Sequence, residues 1–251
     1  MYRGGVLMCS LLIVLAISIA KADDRGAPNV NVNDVELILA NQPVSVNTLA
    51  LEKLNHSLSV LNKKHGLYKS EKDFVEYMYY FTHRKILKKY DQYASLSETL
   101  TTGSYDCLTA TAVYSIFFKE LGISHAIVET NYHIYILVYP DSSSEILIET
   151  TNSAFGFIDN PAEIEMLKEN YRRANNELKE GQVDMDINIE HRLEGKQLIG
   201  LLYYNQSVKE LNLGNWQKAE ELASQALTYY PIMRIEKLLK YIDASFESAS
   251  M

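Results

Sequence analysis

The fold of this chain is decided by the stretch GSYDCLTATAVYSIFFKELGI, residues 103–123. Its apolar and small side chains recur at the spacing of one helix face, at positions 107, 110, 111, 114, 117, 118 and 121. Ser104 or Asp106 is a suitable N-cap, and Gly122 is a suitable C-terminal cap. The stretch therefore predicts a helix whose first turn holds Cys107.

Three segments typical of strands follow this helix. Residues 126–129 and 132–139 are rich in Ile, Val and Tyr, and residues 145–151 form a similar run. Between the second and third runs, residues 140–144 read Pro-Asp-Ser-Ser-Ser, which is typical of a turn. The pattern predicts an antiparallel hairpin with a slightly long loop.

Helical patterns flank the predicted sheet on both sides. Leucines at helical spacing predict a helix over 47–62, and Ser70 begins a capping-box pattern for the next helix. Pro161 opens a later helix, and the chain is helical from about residue 194. Two other segments are expected between helices: a Ser/Thr-rich loop over 91–103, and a short strand or extended connector over 183–189. The fold class is therefore α+β, with helices packed on a small antiparallel sheet.

The first 22 residues have the pattern of a secretory signal. A positively charged start precedes an apolar run, which closes with Ala20-Lys21-Ala22. An uncleaved anchor is the alternative, although the apolar run is short for a membrane span. The sequence predicts cleavage near Ala22, a secreted or periplasmic protein with no stable membrane insertion, and a flexible lead-in over 23–46.

Signal removal would change both the charge and the cysteine count. Without Arg3 and Lys21, the formal charge of −8 becomes −10. This acidic balance disfavours nucleic-acid binding through a basic face. Of the two cysteines, Cys9 would be lost and Cys107 would remain. A lone thiol in an oxidising compartment is buried, paired with another chain, or reactive.

Cys107 has candidate catalytic partners on the predicted hairpin. Both the helix dipole and the free N–H groups of a first turn favour thiolate over thiol. His133 and Glu149 are near cross-strand partners in a hairpin centred on residue 142. We expect both to project from the face that packs against the Cys107 helix, which brings together a nucleophile, a base and an orienting carboxylate.

These residues resemble the transglutaminase-like superfamily. The resemblance covers roughly residues 70–160 and rests on Gly103–Cys107, the Leu-Gly-Ile helix exit at 121–123, His133, and Glu149 followed by two threonines. It implies a papain-like core that transfers acyl groups from peptide or protein amides by hydrolysis, deamidation or transamidation. Cys107 would be the nucleophile, His133 the base, and Glu149 the residue that holds the imidazole.

The chain departs from the family pattern around its site. Leu108 stands where the family usually has Trp, Ile134-Tyr135 stands for Ala-Trp, and Glu149 stands for Asp. The substrate cleft therefore stays unassigned. The backbone N–H of Cys107, with help from Tyr105, is the candidate oxyanion donor.

The C-terminal region resembles one tetratricopeptide repeat. Gly214-Asn215-Trp216 lies between two helical segments, with Pro231 after the second and small residues at 207, 219, 223 and 226. A following helix with Ile235, Leu238, Leu239, Ile242 and Phe246 would cap it. The repeat implies a protein-binding module, and a helical hairpin packed on the core is the alternative.

The sequence thus divides into a signal peptide (1–22), a lead-in (23–46), a transglutaminase-like domain (47–190) and a helical repeat-like region (191–251). The other histidines have no metal-ligand spacing, so no metal or cofactor is expected. Two functions remain. One is an exported cysteine-dependent acyl-transfer enzyme with a Cys107-His133-Glu149 triad. The other is an inactive scaffold that binds proteins through its helical tail.

Overall fold

The computed structural model describes residues 33–130, 133–181 and 190–249. The predicted signal peptide over 1–22 and the strand or connector over 183–189 lie outside these residues. The helices are α1 (Asn33–Ala40), α2 (Thr48–His65), α3 (Glu71–Lys85), α4 (Leu96–Thr101), α5 (Cys107–Glu120), α6 (Pro161–Gly181), α7 (Gly195–Asn212), α8 (Trp216–Tyr229) and α9 (Met233–Ala249).

Most of the strands join one antiparallel sheet, in the order β6-β5-β4-β3-β7. A separate parallel pair, β1 with β2, precedes the α5 helix. The strands are β1 (Lys89–Tyr90), β2 (Ser104–Tyr105), β3 (His125–Thr130), β4 (Ile134–Val138), β5 (Ile146–Ile148), β6 (Phe157–Ile158) and β7 (Glu190–Leu193). The prediction of an α+β fold with a small antiparallel sheet is confirmed.

Helices cover both faces of the sheet. One face carries Ile134, Ile136 and Ile148, which belong to the main core together with the apolar residues of α5. The other face carries a smaller cluster, formed by Val128, Tyr135, Leu137, Leu147 and Ile158 with Ile164 of α6. Because successive strand residues point to opposite faces, every position of the hairpin is assigned to one helix or the other.

The predicted helix over 107–121 is confirmed as α5, which lies in the middle of the main core. Its residues from Leu108 to Phe118 are all buried. Gly122 follows the helix with φ of 70°, a conformation that favours glycine. Because α5 is buried on all sides, neighbouring residues contact it all around. These contacts fix the position of its first turn.

Two segments that the sequence predicts to lack secondary structure contain helices instead, so these two predictions are wrong. The lead-in over 23–46 contains α1, whose Ile38 is fully buried. The loop over 91–103 contains α4, which begins with a capping box formed by Ser95 and Glu98. The Ser/Thr-rich composition misleads here because Thr99 and Thr101 bond back to carbonyls one turn earlier within the helix.

The helical tail contains the close crossing that its small residues predict. Ala219 and Ala223 of α8 are fully buried, and Ser207 of α7 donates a hydrogen bond to the carbonyl of Ala219 at 2.7 Å. In α9, Ile242, Leu238 and Leu239 pack on the same cluster, as predicted, and Phe246 is 54% exposed. The expected boundary at residue 190 separates the sheet domain from the helical region. The edge strand β7 begins at this boundary and pairs with β3, so it joins the sheet to the helical region.

Candidate active site

The first turn of α5 is fixed by a capping box. The Oδ1 atom of Asp106 accepts from the N–H of Thr109 at 2.8 Å, and Thr109 Oγ1 accepts from the N–H of Asp106 at 3.0 Å. Asn205 of α7 donates to the other Asp106 oxygen at 2.6 Å. Cys107 is therefore held as the first residue of the helix, as the sequence predicts, between a buried carboxylate and the core.

The electrostatic environment of the Cys107 thiol differs from the expectation. The backbone N–H groups of Leu108 and Cys107 lower its pKa, as a helix N-terminus should. The side chain is partly buried, and this burial raises the pKa. The charges of Asp106 and Glu149 raise it further, to about 12. The prediction of a thiolate favoured at rest is wrong, because desolvation and two carboxylates outweigh the helix terminus.

His133 lies immediately before β4 and is fixed through its backbone. Its N–H donates to Thr130 Oγ1 at 3.0 Å, and its carbonyl accepts from the N–H of Thr130 at 2.8 Å. These bonds close the connection between β3 and β4. The imidazole is thus placed at one end of the sheet by main-chain contacts that do not depend on the side chain.

The structure brings His133 and Glu149 together. The Nε2 atom of His133 lies 2.7 Å from Oε2 of Glu149, and both side chains are mostly buried. Ile136 pairs with Ile148 in the hairpin, so that His133 and Glu149 are diagonal neighbours across the strands. Because a carboxylate only accepts, Nε2 is the donor in this contact, and Nδ1 is the nitrogen that can act as a base whenever the ring carries a single proton.

The pair lies on the face opposite to the one expected. Alternate residues of a strand share a face, so His133 lies on the same face as Tyr135 and Leu137, and Glu149 on the same face as Leu147. Tyr135, Leu137 and Leu147 all belong to the cluster under α6. Thr150 points the other way and donates to the carbonyl of Cys107 at 3.3 Å. Cys107 and the His133–Glu149 pair therefore meet around the end of β5 rather than across one face.

Two of the three predicted residues are thus in direct contact, and the third is adjacent. Within the described residues, no hydrogen bond joins the Cys107 thiol to the imidazole of His133. Glu149 is close enough for its charge to raise the pKa of Cys107. The arrangement is a histidine oriented by Glu149, whose charge also acts on the Cys107 thiol.

Tyr171 of α6 is a site residue that the sequence pattern does not single out. Its hydroxyl donates to Glu149 Oε2 at 2.7 Å, and its ring lies 5.3 Å from that of His133, measured between centroids. Thr151 donates to the other carboxylate oxygen at 3.3 Å. The signal that could have marked it is its hydroxyl, since a partly buried phenol usually has a polar partner.

Tyr105, the predicted oxyanion donor, lies in an aromatic cluster. It is buried on β2, with its ring 6.1 Å from Tyr90 and 6.4 Å from His83. Burial also raises its pKa. These contacts place the ring against the core, and its help to an oxyanion stays a prediction.

The turn that follows Glu149 is held from below by Tyr79 of α3. The hydroxyl of Tyr79 donates to the carbonyl of Asn152 and accepts from the N–H of Gly156 at 3.0 Å. The N–H of Glu149 donates to the carbonyl of Gly156 at 2.7 Å, which closes the turn. The backbone that carries the carboxylate is therefore tied to the same core as α5.

Within the described residues, no group of three or more His, Cys, Asp or Glu side chains is arranged to hold a metal ion. None of the described helices combines the length and apolarity that a membrane crossing requires. Comparisons with protein-family models, curated proteins and solved structures found no match to this chain.

Proposed function

We propose that this chain is a cysteine-dependent acyl-transfer enzyme of transglutaminase-like type, acting on peptide or protein amides. The observation that supports it most is the 2.7 Å contact between His133 Nε2 and Glu149 Oε2, next to a segment bonded to Cys107. An imidazole oriented by a carboxylate beside a thiol at a helix start is the arrangement that nucleophilic catalysis requires.

The reaction proceeds by general-base activation of the thiol. His133 Nδ1 takes the proton of Cys107 as the sulfur attacks the amide carbonyl, and the imidazolium then gives that proton to the leaving amine. The product is a thioester on Cys107. Water or a second amine, deprotonated by His133, next attacks the thioester and releases the acyl group. Glu149 holds the imidazole and stabilises its positive charge between these steps.

The raised pKa of Cys107 sets the order of these events. A thiol with a pKa of about 12 is protonated at neutral pH, so the thiolate forms during the attack instead of beforehand. This route requires Nδ1 to approach the sulfur when substrate occupies the end of β5. Catalytic contacts commonly tighten only in the substrate complex.

An activated acyl donor tests the mechanism without knowledge of the natural substrate. With p-nitrophenyl acetate, we expect a burst of p-nitrophenolate and one acetyl group on the peptide that contains Cys107, detected by mass spectrometry. Cys107→Ala should abolish the burst. His133→Asn should slow it by roughly 100-fold, because a positioned general base contributes about that factor or more.

His56→Asn is the matched control, since His56 is an exposed histidine on α2, at the surface of another helix. It should leave the burst unchanged. An acetyl group on Cys107 that forms equally fast in the His133→Asn protein would contradict the mechanism, and so would acetylation confined to other residues.

A catalytically silent scaffold is the second candidate. It is favoured by the raised pKa of Cys107 and by the position of His133 and Glu149 on the opposite sheet face. In this case the repeat-like tail would bind a protein partner. Iodoacetamide separates the two candidates in the folded protein at pH 8. Alkylation of a Cys107 that His133 assists as a base should slow in His133→Asn, whereas a scaffold cysteine reacts at the same low rate in both proteins and labels fully only after unfolding.

The sequence adds two further parts to the proposal. The segment 1–22 has the pattern of an export signal, so the substrate would be a secreted or periplasmic peptide or protein. The helical tail would present a partner-binding surface beside the site, since Asn205 of α7 contacts Asp106 directly. Neither part requires a metal or an organic cofactor.

A further inference from the structure

Helix α6 is anchored along the sheet in a way that fixes one of its side chains over the site. Asn160 caps its start by accepting from the N–H of Ala162 at 2.9 Å. One turn later Ile164 is buried in the cluster under α6, and Lys168 bonds Glu145, which directly precedes β5, at 2.5 Å. The next residue on this face is Tyr171, seven positions after Ile164.

The Tyr171 side chain contacts both members of the candidate catalytic pair. Its hydroxyl donates to Glu149 Oε2 at 2.7 Å, and its ring centroid lies 5.3 Å from that of His133. The Tyr171 ring also stacks on that of Tyr135, with 5.1 Å between the ring centroids and 24° between the ring planes. Aromatic packing therefore holds the ring, while the hydroxyl donates its hydrogen bond to the carboxylate of Glu149.

The same carboxylate oxygen serves the tyrosine and the histidine. Oε2 of Glu149 accepts from His133 Nε2 and from Tyr171, each at 2.7 Å, whereas Oε1 accepts from Thr151 at 3.3 Å. An ionised carboxylate oxygen has two lone-pair positions. Two donors on Oε2 therefore fix the rotation of the carboxylate plane, which in turn fixes the direction of the imidazole.

We propose that Tyr171 is a positioning residue, which orients Glu149 and, through it, the tautomer and direction of the His133 ring. The significance of Tyr171 for catalysis rests on the proposed acyl-transfer function. The effect of Tyr171 on His133 is independent of that function, because it follows from the hydrogen bonds alone. A glutamate reaches one methylene further than the aspartate usual in the resembled family, and a second donor compensates for that added freedom.

The test uses Tyr171→Phe, which removes one oxygen and keeps the ring. Long-range proton–nitrogen NMR spectra of the nitrogen-15-labelled full chain report which His133 nitrogen carries the proton. In the wild-type protein, Nε2 should be the protonated nitrogen. In Tyr171→Phe the Glu149 carboxylate loses the donor that fixes its rotation, which weakens its bond to Nε2–H, so exchange of the Nε2–H proton with water should become about tenfold faster.

Tyr229→Phe is the matched control, because Tyr229 is also half-buried and its hydroxyl bonds Asn41 at 2.6 Å, which is not a residue of the site. It should leave His133 unchanged. Tyr171→Met gives a second variant of similar apolar volume, and circular dichroism verifies folding of each protein. An Nε2–H exchange rate in both Tyr171 variants within twofold of the wild-type rate would overturn the proposal.

The two proposals fail in different ways. Faster exchange in Tyr171→Phe, without any acetylation of Cys107 in the wild-type protein, would support the positioning role and remove the catalytic function. Acetylation that depends on His133, with unchanged exchange and an unchanged burst in Tyr171→Phe, would keep the function and overturn the positioning role.

Discussion

At the residue scale, Asp106 has two opposing effects on its neighbour Cys107. Its carboxylate caps α5 and so holds the thiol at the helix start, but its charge raises the pKa of that thiol. Burial raises the pKa of Asp106 itself, while hydrogen bonds from Thr109 and Asn205 oppose this shift. The cap and the charge are separable, because asparagine caps a helix as well as aspartate does.

Asp106→Asn should therefore make Cys107 more reactive. With the negative charge removed, the pKa of the thiol falls, and alkylation by iodoacetamide at pH 8 should accelerate by a factor of about 3 to 10. The measurement is the pH dependence of alkylation at Cys107, followed by peptide mass spectrometry. Asp141→Asn makes the same change at the exposed hairpin turn and should have no effect. A slower reaction in Asp106→Asn would show that the cap matters more than the charge.

At the element scale, the turn from Glu149 to Gly156 is too tight for a side chain at its end. A Cβ atom at Gly156 would lie 2.2 Å from the Glu149 carbonyl oxygen and 2.6 Å from the Tyr79 hydroxyl. The first contact is with backbone, so the turn itself would have to move. Gly156→Ala should lower the free energy of unfolding by about 1–3 kcal/mol and slow acetylation of Cys107.

Gly66→Ala is the control for this prediction, measured by urea unfolding of both variants. Gly66 follows α2 with a helical φ of −65°, and a Cβ atom there would meet nothing within 4 Å. It should leave stability unchanged or raise it by up to about 1 kcal/mol. Equal stability of Gly156→Ala and the wild-type protein would mean that the turn adjusts freely, and that it does not position Glu149.

The elements differ in how far their sequence determines them. The hairpin of β4 and β5 could be predicted because a polar turn separates two apolar runs, and its register then placed His133 beside Glu149. The face could not be predicted, because both faces of β4 are apolar and buried. The choice depends on where α6 packs, and alternation alone does not contain that information. The role of Tyr171 could not be predicted either, because it depends on the same packing of α6 on the sheet.

At the scale of the whole molecule, the tail and the sheet form one core. The main apolar cluster includes Ile38 of α1, Phe117 of α5, and Leu198 and Ile235 of the tail. The sequence predicts a boundary after residue 190, because the helical and repeat-like pattern begins shortly beyond it, at about residue 194. Periodicity reports which face of a helix is apolar; it does not report which neighbouring element covers that face.

A buried ion pair joins the tail to the sheet beside the site. Glu129 of β3 is 3% exposed, and it accepts from Arg234 of α9 and from the hydroxyl of Tyr230, the latter at 2.9 Å. The guanidinium also lies over the Tyr204 ring, 4.9 Å from its centroid. Removal of one partner of a buried pair leaves an uncompensated charge, which costs about 3–5 kcal/mol.

Arg234→Met should therefore destabilise the entire chain in a single step. Two probes follow the two regions in urea: fluorescence of Trp216, the one tryptophan of the sequence, reports α8 in the tail, and the His133 imidazole proton reports the sheet. Both midpoints should fall together, by an amount equivalent to about 3 kcal/mol. Lys72→Met breaks the exposed pair with Asp159 and should cost less than about 1 kcal/mol. A lower midpoint for Trp216 alone would instead establish the tail as an independently folding unit, attached to the sheet without sharing its stability.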